Sequence, residues 1–387
     1  MQSISKSRTR TGAASLFIVV FSILLLTIIS LSFIKIALRG AKSASESDLS
    51  QSAYDSAMSG VEDAKRALAK YVQKGCTPGS TDRFCKRFIE GYNGNDCDIV
   101  AKALHDSDSA ADEAQLKPGG GTHDSDQAYT CVKITYNTLD YLNRLEQEDG
   151  YDIIPLRAVG DGIDSIKVRW FTADDRSDQT PNFNFPSSPK QLLPDKEWEN
   201  RGLPPVLVVQ YFKSGVGGLT DYDINGNAFH TLYLVPASAG SASGEISKLD
   251  ARSSGADQTA PLVPVRCEND LSANQYACTY EIKLSPDVIP AYSDQYYIKI
   301  SKRYSAKTTY QVQMLSGGAP VKFAGVQPAV DSNGRANDFF RRVEARLRVP
   351  LVGDMPLPHG AVEVAKGDFC KRLSVYDSAQ SPDPSCN

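Results

Sequence analysis

The sequence predicts an α+β fold, in which a long N-terminal helix, transmembrane and then amphipathic, is followed by a mainly antiparallel β ectodomain. Three patterns support this prediction. Segment 12–34 carries no charge and no proline, and segment 47–74 repeats apolar residues at three- and four-residue steps. From residue 128 onward, short runs alternate apolar and polar residues. Helices and strands do not alternate regularly, which argues against a parallel nucleotide-binding sheet.

The first element is an apolar segment, Gly12–Ile34, with the sequence GAASLFIVVFSILLLTIISLSFI. As a helix it extends about 33 Å, at roughly 1.5 Å per residue, which is enough to cross the hydrocarbon core of a membrane. A cleaved secretory signal has a shorter apolar region that ends in small residues. This segment is followed instead by Lys35-Ile36-Ala37-Leu38-Arg39, a poor cleavage context. We therefore interpret it as an anchor.

All eight cysteines follow the predicted anchor. Lys and Arg flank both ends of the apolar segment, so charge alone does not orient it. An even number of cysteines on one side predicts disulfides in an oxidising compartment, which places this region outside the cytoplasm. The spacing leaves the connectivity open. We expect chain neighbours to pair, because this closes the smallest loops, which gives Cys76–Cys85, Cys97–Cys131, Cys267–Cys278 and Cys370–Cys386.

The second helical pattern, 47–74, has one narrow apolar stripe. Its members are Leu49, Ala53, Ala57, Val61, Ala64, Leu68 and Val72. The pattern predicts a helix that packs by this stripe, continues from the anchor through a loose joint at Gly40, and ends at Gly75. The chain then divides into a basic leader at 1–12, the helix at 13–75, an irregular cysteine-containing segment at 76–127, and the mainly β ectodomain at 128–387.

Short apolar runs bounded by turn residues predict the strands of the ectodomain. The predicted strands are Tyr129–Tyr136, Ile163–Trp170, Val206–Phe212, Thr231–Val235, Thr279–Lys283, Gln295–Lys302, Thr308–Met314 and Arg341–Val349.

Composition excludes several functions. The formal net charge of -4 and the absence of a basic patch argue against nucleic acid as a partner. None of the sequence motifs for a nucleophilic serine, a phosphate-binding loop or a zinc protease occurs, so an enzyme is not expected and the chain has no certain cofactor. The acidic pair Asp174-Asp175 is expected to lie in a solvated loop.

One polar segment has the D-x-D-x-N-G pattern of a calcium-binding loop. The candidate ligands are Asp221, Asp223, Asn225 and Asn227. Alternate oxygen ligands converge where glycine permits a sharp turn, and calcium prefers six or more such ligands. An EF-hand is excluded because Leu232 stands at its twelfth position. The alternative is a hairpin turning at Asn225-Gly226. Asp331–Gly334 is a weaker version of the pattern that we interpret as a turn.

Five tyrosines between residues 292 and 310 are candidates for an exposed carbohydrate- or surface-binding patch, although such residues more often pack on a sheet. They are Tyr292, Tyr296, Tyr297, Tyr304 and Tyr310.

The N-terminal sequence has three consecutive parts, the basic leader MQSISKSRTRTG, the apolar start AASLFIVVFSILLLTII and the continuation SQSAYDSAMSGVEDAKRAL. Together they resemble the type IV pilin-like superfamily, and more narrowly the minor pilins of the PilX class and the tip pseudopilins of type II secretion. The later segment VDSNGRANDFFRRVEARLRV is similar to the glycine turn and Arg-Arg strand that close many such ectodomains.

The resemblance implies processing by a prepilin peptidase between Gly12 and Ala13. Removing Lys6, Arg8 and Arg10 with the leader would change the formal charge from -4 to about -7, because three positive charges are lost. It further implies contact with other pilins or minor pilins through the N-terminal helix, residence in the membrane or a pilus, and contact with a host or neighbouring cell surface.

The chain departs from the family pattern at the fifth residue of the mature helix. Major pilins carry a glutamate there that neutralises a neighbour's N-terminal amine, whereas this chain has Phe17, and its first acid after the leader is Glu46. A buried carboxylate and ammonium stabilise only as a pair. The departure favours assembly initiation, tip capping or surface contact over a bulk fibre role. The alternative is a single-pass anchored extracellular binding protein outside any filament.

Overall fold

In the computed structural model, the described residues are 12–92, 96–105, 114–115, 127–146, 150–176, 183–186, 193–213, 229–238, 244–245, 262–268, 271, 275–284, 288–293, 295–304 and 307–348. They form one long N-terminal helix followed by three mostly antiparallel sheets, as the α+β prediction requires.

Helix α1 (Gly12–Gln73) is 62 residues long and extends about 93 Å. It continues through Gly40 without the loose joint expected there. Its last residue is Gln73, and the chain turns away at Gly75, which has φ of 58°. The Cys76 amide bonds to the Tyr71 carbonyl and the Gly75 amide to the Val72 carbonyl, so the last turn closes as a Schellman motif.

Two short helices, α2 (Arg83–Gly91) and α3 (Ile99–His105), occupy a segment predicted to be irregular. The Asp82 side chain caps α2 by accepting a bond from the Cys85 amide at 3.1 Å. The side chains of Phe84 and Phe88 lie on the inner face of α2 and are buried. Helices this short are unstable alone, and their stability comes from tertiary packing, which periodicity in a nine-residue window does not reveal.

The elements that follow α3 are mainly strands. In chain order they are β1 (Ala114–Gln115), β2 (Gln127–Thr138), β3 (Tyr141–Leu145), β4 (Tyr151–Pro155), β5 (Ser165–Trp170), a 3₁₀ turn (Ala173–Asp175), α4 (Asp195–Asn200), β6 (Val206–Lys213), β7 (Phe229–Ala237), β8 (Gly244–Glu245), β9 (Leu262–Arg266), β10 (Cys278–Lys283), β11 (Tyr296–Arg303), β12 (Thr308–Ser316), β13 (Ala319–Val321), β14 (Phe323–Ala336) and β15 (Phe339–Arg346).

The strands form three sheets. The helix-bound sheet, against which α1 lies, has the order β1-β2-β14-β15. A six-stranded sheet has the order β13-β12-β5-β10-β8, with β3 paired to β12, and a five-stranded sheet has the order β4-β11-β6-β7-β9. All pairings are antiparallel except β8 with β10 and β7 with β9.

Two hydrophobic cores hold these layers together. The larger core lies between the six- and five-stranded sheets, which we call the sandwich, and the smaller one lies between α1, α2, α3 and the helix-bound sheet. Strand β14 contributes to both, since Phe323 is buried in the sandwich core and Val330 under α1. Its pairing with β2 shifts register between Ala324 and Ala329. This irregularity redirects the strand from one core to the other.

Candidate functional site

The most unusual surface of the molecule is the N-terminal half of α1. From Leu16 to Ile34, which we call the apolar span, the large aliphatic and aromatic side chains are all exposed, with Phe17 at 75 %. Leaving such a surface in water costs on the order of 20 kcal/mol relative to burying it. Among the described residues, α1 is the one helix long and apolar enough to cross a membrane.

The C-terminal half of the same helix is packed. Its buried face comprises Ala53, Ser56, Ala57, Gly60, Val61, Ala64, Ala67, Leu68 and Tyr71. These positions recur at three- and four-residue steps, so they form one stripe along the helix. The stripe predicted from sequence largely coincides with it, although Leu49 and Val72 are only partly buried.

Two glycines allow the helix to lie unusually close to the helix-bound sheet. A Cβ atom at Gly60 would lie 2.8 Å from Cγ2 of Val132, and nearer still to the hydroxyl of Ser332. A Cβ atom at Gly334 would lie 2.9 Å from the Ala57 Cα. Both distances are below ordinary carbon–carbon contact, so neither position accepts a side chain without a shift of helix against sheet.

Polar contacts fix the register of α1 on this sheet. The Tyr129 hydroxyl donates to Asp63 at 3.0 Å, and burial together with the Asp63 charge raises the pKa of that phenol. Arg341 of β15 donates to the Ser50 hydroxyl at 2.8 Å from its Nε. Ser50 and Asp63 lie almost four helical turns apart, so the sheet holds the helix at the start of the buried stripe and again near its middle.

Three disulfides brace the described region. Cys76–Cys85 joins the end of α1 to α2, Cys97–Cys131 joins the segment before α3 to β2, and Cys267–Cys278 joins the five-stranded sheet to the six-stranded one. These are three of the four pairs predicted from chain neighbours. The fourth, Cys370–Cys386, lies outside the described residues.

A buried carboxylate links the helix-bound sheet to the sandwich. Asp152 on β4 accepts hydrogen bonds from the hydroxyls of Tyr141 at 2.7 Å and Tyr310 at 2.5 Å, and from Asn143 at 2.6 Å. Arg348, which follows β15, pairs with its other oxygen. Burial and the Asp152 charge raise the pKa of both tyrosines. The charge is therefore fully paired, as a buried ion must be.

The predicted calcium ligands Asp221, Asp223, Asn225 and Asn227 lie outside the described residues, so the calcium site stays a prediction. Among the described residues, no group of three His, Cys, Asp or Glu side chains could hold a metal ion. A cleft of about 390 Å³ opens on the six-stranded sheet, lined by Asp164, Lys283, Gly317 and neighbouring residues. Of its two carboxylates, Asp164 and Glu281, the first accepts from the Gly317 amide at 2.7 Å.

The prediction of a turn at Asp331–Gly334 was wrong. The segment lies inside β14, paired with β2 on one side and β15 on the other, and Ser332 is fully buried. The turn falls instead at Asn337-Asp338, where Asn337 has φ of 50°. Pairing with β2 and β15 holds these turn-forming residues in the strand. Gly334 lets α1 lie close to it, because it has no side chain.

The prediction for the acidic pair was wrong for Asp175. Asp174 is exposed, but Asp175 is buried at 1 % exposure. Its carboxylate accepts bonds from the amides of Thr172 at 2.9 Å and Thr309 at 2.8 Å, and it pairs with Arg144 at 3.4 Å. The side chain thus ties the turn after β5 to the start of β12.

The tyrosine patch does not form among the described residues. Tyr310 is fully buried, Tyr304 stacks on Trp198 at 5.0 Å, and Tyr297 stacks on Phe212 at 5.6 Å. Tyr296 and Tyr297 are consecutive on β11 and point to opposite faces. Tyr292 is the most exposed member of the set. The alternation of apolar and polar residues did not show which of these tyrosines are buried, because it does not reveal which face of a sheet is covered.

Fold and site together define an α+β protein in which one continuous helix carries an exposed apolar half and a half mounted on a disulfide-braced β body. No known protein family, no curated protein and no solved structure matches this chain.

Proposed function

We propose that this chain is a minor pilin-like component of a type IV pilus or a related secretion filament, in which it acts in assembly initiation, tip capping or surface contact. One observation carries the proposal: α1 is a single rod whose apolar span, Leu16–Ile34, leaves its large apolar side chains exposed, while the C-terminal half of the same helix is packed on a sheet. Such a rod can lie in a membrane or pack along other apolar helices without rearrangement of the β body.

The disulfides support a place for the β body outside the cytoplasm. Three bridges within the described residues fit an oxidising compartment better than a reducing one. With the apolar span as a single membrane crossing, the basic leader then lies on the cytoplasmic side.

The sequence around Gly12 supports processing of the leader by a prepilin peptidase. Cleavage after Gly12 would remove the basic leader and leave Ala13 as the new N-terminus before the apolar span. Glycine at this point lets the chain approach a protease without a side chain in the way.

Phe17 supports a terminal place in the filament. Its side chain is exposed, and there is no carboxylate on α1 before Glu46 to pair with a neighbour's amine in apolar surroundings. A subunit without that carboxylate can receive other pilins below it but attracts none above it. This asymmetry suits initiation or capping.

The mature N-terminus tests the proposal. We expect N-terminal sequencing of membrane-extracted protein to begin at Ala13, and Gly12→Leu to leave Met1 in place. Gly40→Leu is the matched control, since Gly40 is an exposed glycine of the same helix with no atom within 4 Å of a Cβ atom there. An intact Met1 in protein extracted from its native membrane would contradict the filament role and favour an anchored extracellular binding protein.

A further inference from the structure

Charge is sorted along α1 into consecutive zones. The apolar span is followed by three cations, Lys35, Arg39 and Lys42, which we call the basic band. The next basic residue of the helix is Lys65, and the residues between are acidic or neutral, with acids at Glu46, Asp48, Asp55, Glu62 and Asp63. A helix that merely needed solubility would mix the two signs, so this order calls for an oriented partner.

The three cations of the basic band share one face of the helix. Steps of four and three residues at about 100° per residue keep them within roughly a 60° arc. All three are exposed, and the Lys42 side chain keeps 78 % of its surface while pairing with Glu46 at 3.7 Å. Exposed pairs at this distance are weak, so all three cations can bind an external anion.

The apolar span sets the depth of these cations in a membrane. Its length from Leu16 to Ile34 is about 28 Å, close to the ~30 Å thickness of the hydrocarbon core. Lys35 then stands at the edge of the core, and Arg39 and Lys42 stand about 6 and 10 Å beyond it, in the layer of lipid phosphates. Glu46 is a further turn away, where an anionic surface repels it less.

We infer that the basic band binds the phosphate groups of anionic phospholipids on the side of the membrane where the β body lies. Long Lys and Arg side chains reach along the helix to the headgroup layer, and Arg can bind two phosphate oxygens at once. Because the three contacts lie on one face, they fix the rotation of α1, and with it the side of the β body that faces the membrane. This inference rests on the proposed membrane anchoring.

The test uses the full chain reconstituted in phosphatidylcholine vesicles with spin-labelled phosphatidylglycerol or phosphatidylcholine as the probe. Retention of the protein in alkaline carbonate first reports anchoring. Electron paramagnetic resonance then measures which probe is immobilised at the helix. We expect an approximately fivefold preference for the anionic probe, about what one well-engaged cation supplies, and a loss of this preference at high salt.

The variant Lys35→Gln/Arg39→Gln/Lys42→Gln should abolish the preference and still resist carbonate. The matched control, Lys65→Gln/Arg66→Gln/Lys86→Gln, removes three exposed cations next to the β body. This variant should retain the preference for the anionic probe. If the native chain resists carbonate but shows no preference for the anionic probe, the lipid inference is wrong and the membrane anchor is still supported. Release by carbonate overturns the anchor itself. A triple variant that changes self-association but not lipid preference would assign the band to a second copy of the chain, against our inference.

Discussion

Gly334 of β14 lies directly against Ala57 of α1, where a Cβ atom at the glycine would lie only 2.9 Å from the Ala57 Cα. The two residues are 277 positions apart in the chain. Their contact sets the distance between the long helix and the helix-bound sheet. It therefore holds the body of the protein on the rod that we propose as its anchor.

Gly334→Ala should lower the free energy of unfolding by about 2 to 3 kcal/mol, because the added methyl group forces helix and sheet apart. The matched control is Gly40→Ala, an exposed helical glycine with open space around it. The free energy of unfolding of this control should rise by about 0.5 to 1 kcal/mol, because alanine has a higher helix propensity than glycine. Chemical denaturation of the full chain in detergent measures both, and equal stability of Gly334→Ala and the native chain would refute the close contact.

Asp175→Asn should destabilise the protein by about 2 to 4 kcal/mol. Its one amide oxygen can accept from Thr172 and Thr309 only if the NH2 group takes the place of the oxygen beside Arg144, which leaves that guanidinium uncompensated. The adjacent Asp174→Asn is the control, since that side chain is exposed. It should change stability by no more than about 0.5 kcal/mol. Thermal unfolding measures the stability of the two variants, and equal losses of stability would argue against a structural role for Asp175.

Alkaline pH should unfold the protein from about pH 10 upward. Burial raises the pKa of Tyr71, Tyr129, Tyr141 and Tyr310 above the ordinary value of 10.0. Above pH 10 the unfolded chain loses these protons while the folded chain keeps them, so stability falls as pH rises, by about 1.4 kcal/mol per pH unit for each such tyrosine. Absorbance at 295 nm should therefore show a late phase that coincides with loss of circular dichroism. A single reversible phase without unfolding would contradict this.

Removal of the disulfides should destabilise in order of loop length. The Cys97–Cys131 loop spans 34 residues and the Cys76–Cys85 loop 9, so loss of the bridges should cost about 3.8 and about 2.6 kcal/mol respectively in the chain-entropy account. Paired Cys→Ser variants in urea measure the difference. We further expect no alkylation of the native chain under non-reducing denaturing conditions. Four or more labelled cysteines would overturn the pairing.

Calcium should stabilise the protein if Asp221, Asp223, Asn225 and Asn227 form the predicted site. At a hundredfold excess over the dissociation constant the gain is about 2.7 kcal/mol, and Asp221→Ala/Asp223→Ala should abolish it with little effect in chelator. If the segment is only a hairpin turning at Asn225-Gly226, melting curves with calcium and with chelator coincide. A melting temperature that does not change at millimolar calcium would contradict the predicted site.

The interpretation of the sequence was most successful where a pattern is local. The stripe from Ala53 to Leu68 follows the helical period, and the Gly75 stop follows from its left-handed backbone conformation. It was least successful at β14, where Asp331–Gly334 has the composition of a turn. Pairing of β14 with both β2 and β15 supplies the hydrogen bonds that overrule this local preference. The short helices α2 and α3 were missed for the same reason, since packing under α1 rather than propensity stabilises them.

The sequence by itself determined the apolar span, the amphipathic face that follows it and most strands of the sandwich. Each of these follows from periodicity or from the absence of charge. Only the tertiary structure decided which surface covers that face, that Gly334 marks a contact rather than a turn, and that Asp175 and Tyr310 are buried. Those properties depend on which distant segments meet, and a pattern within one segment carries no information about its partner.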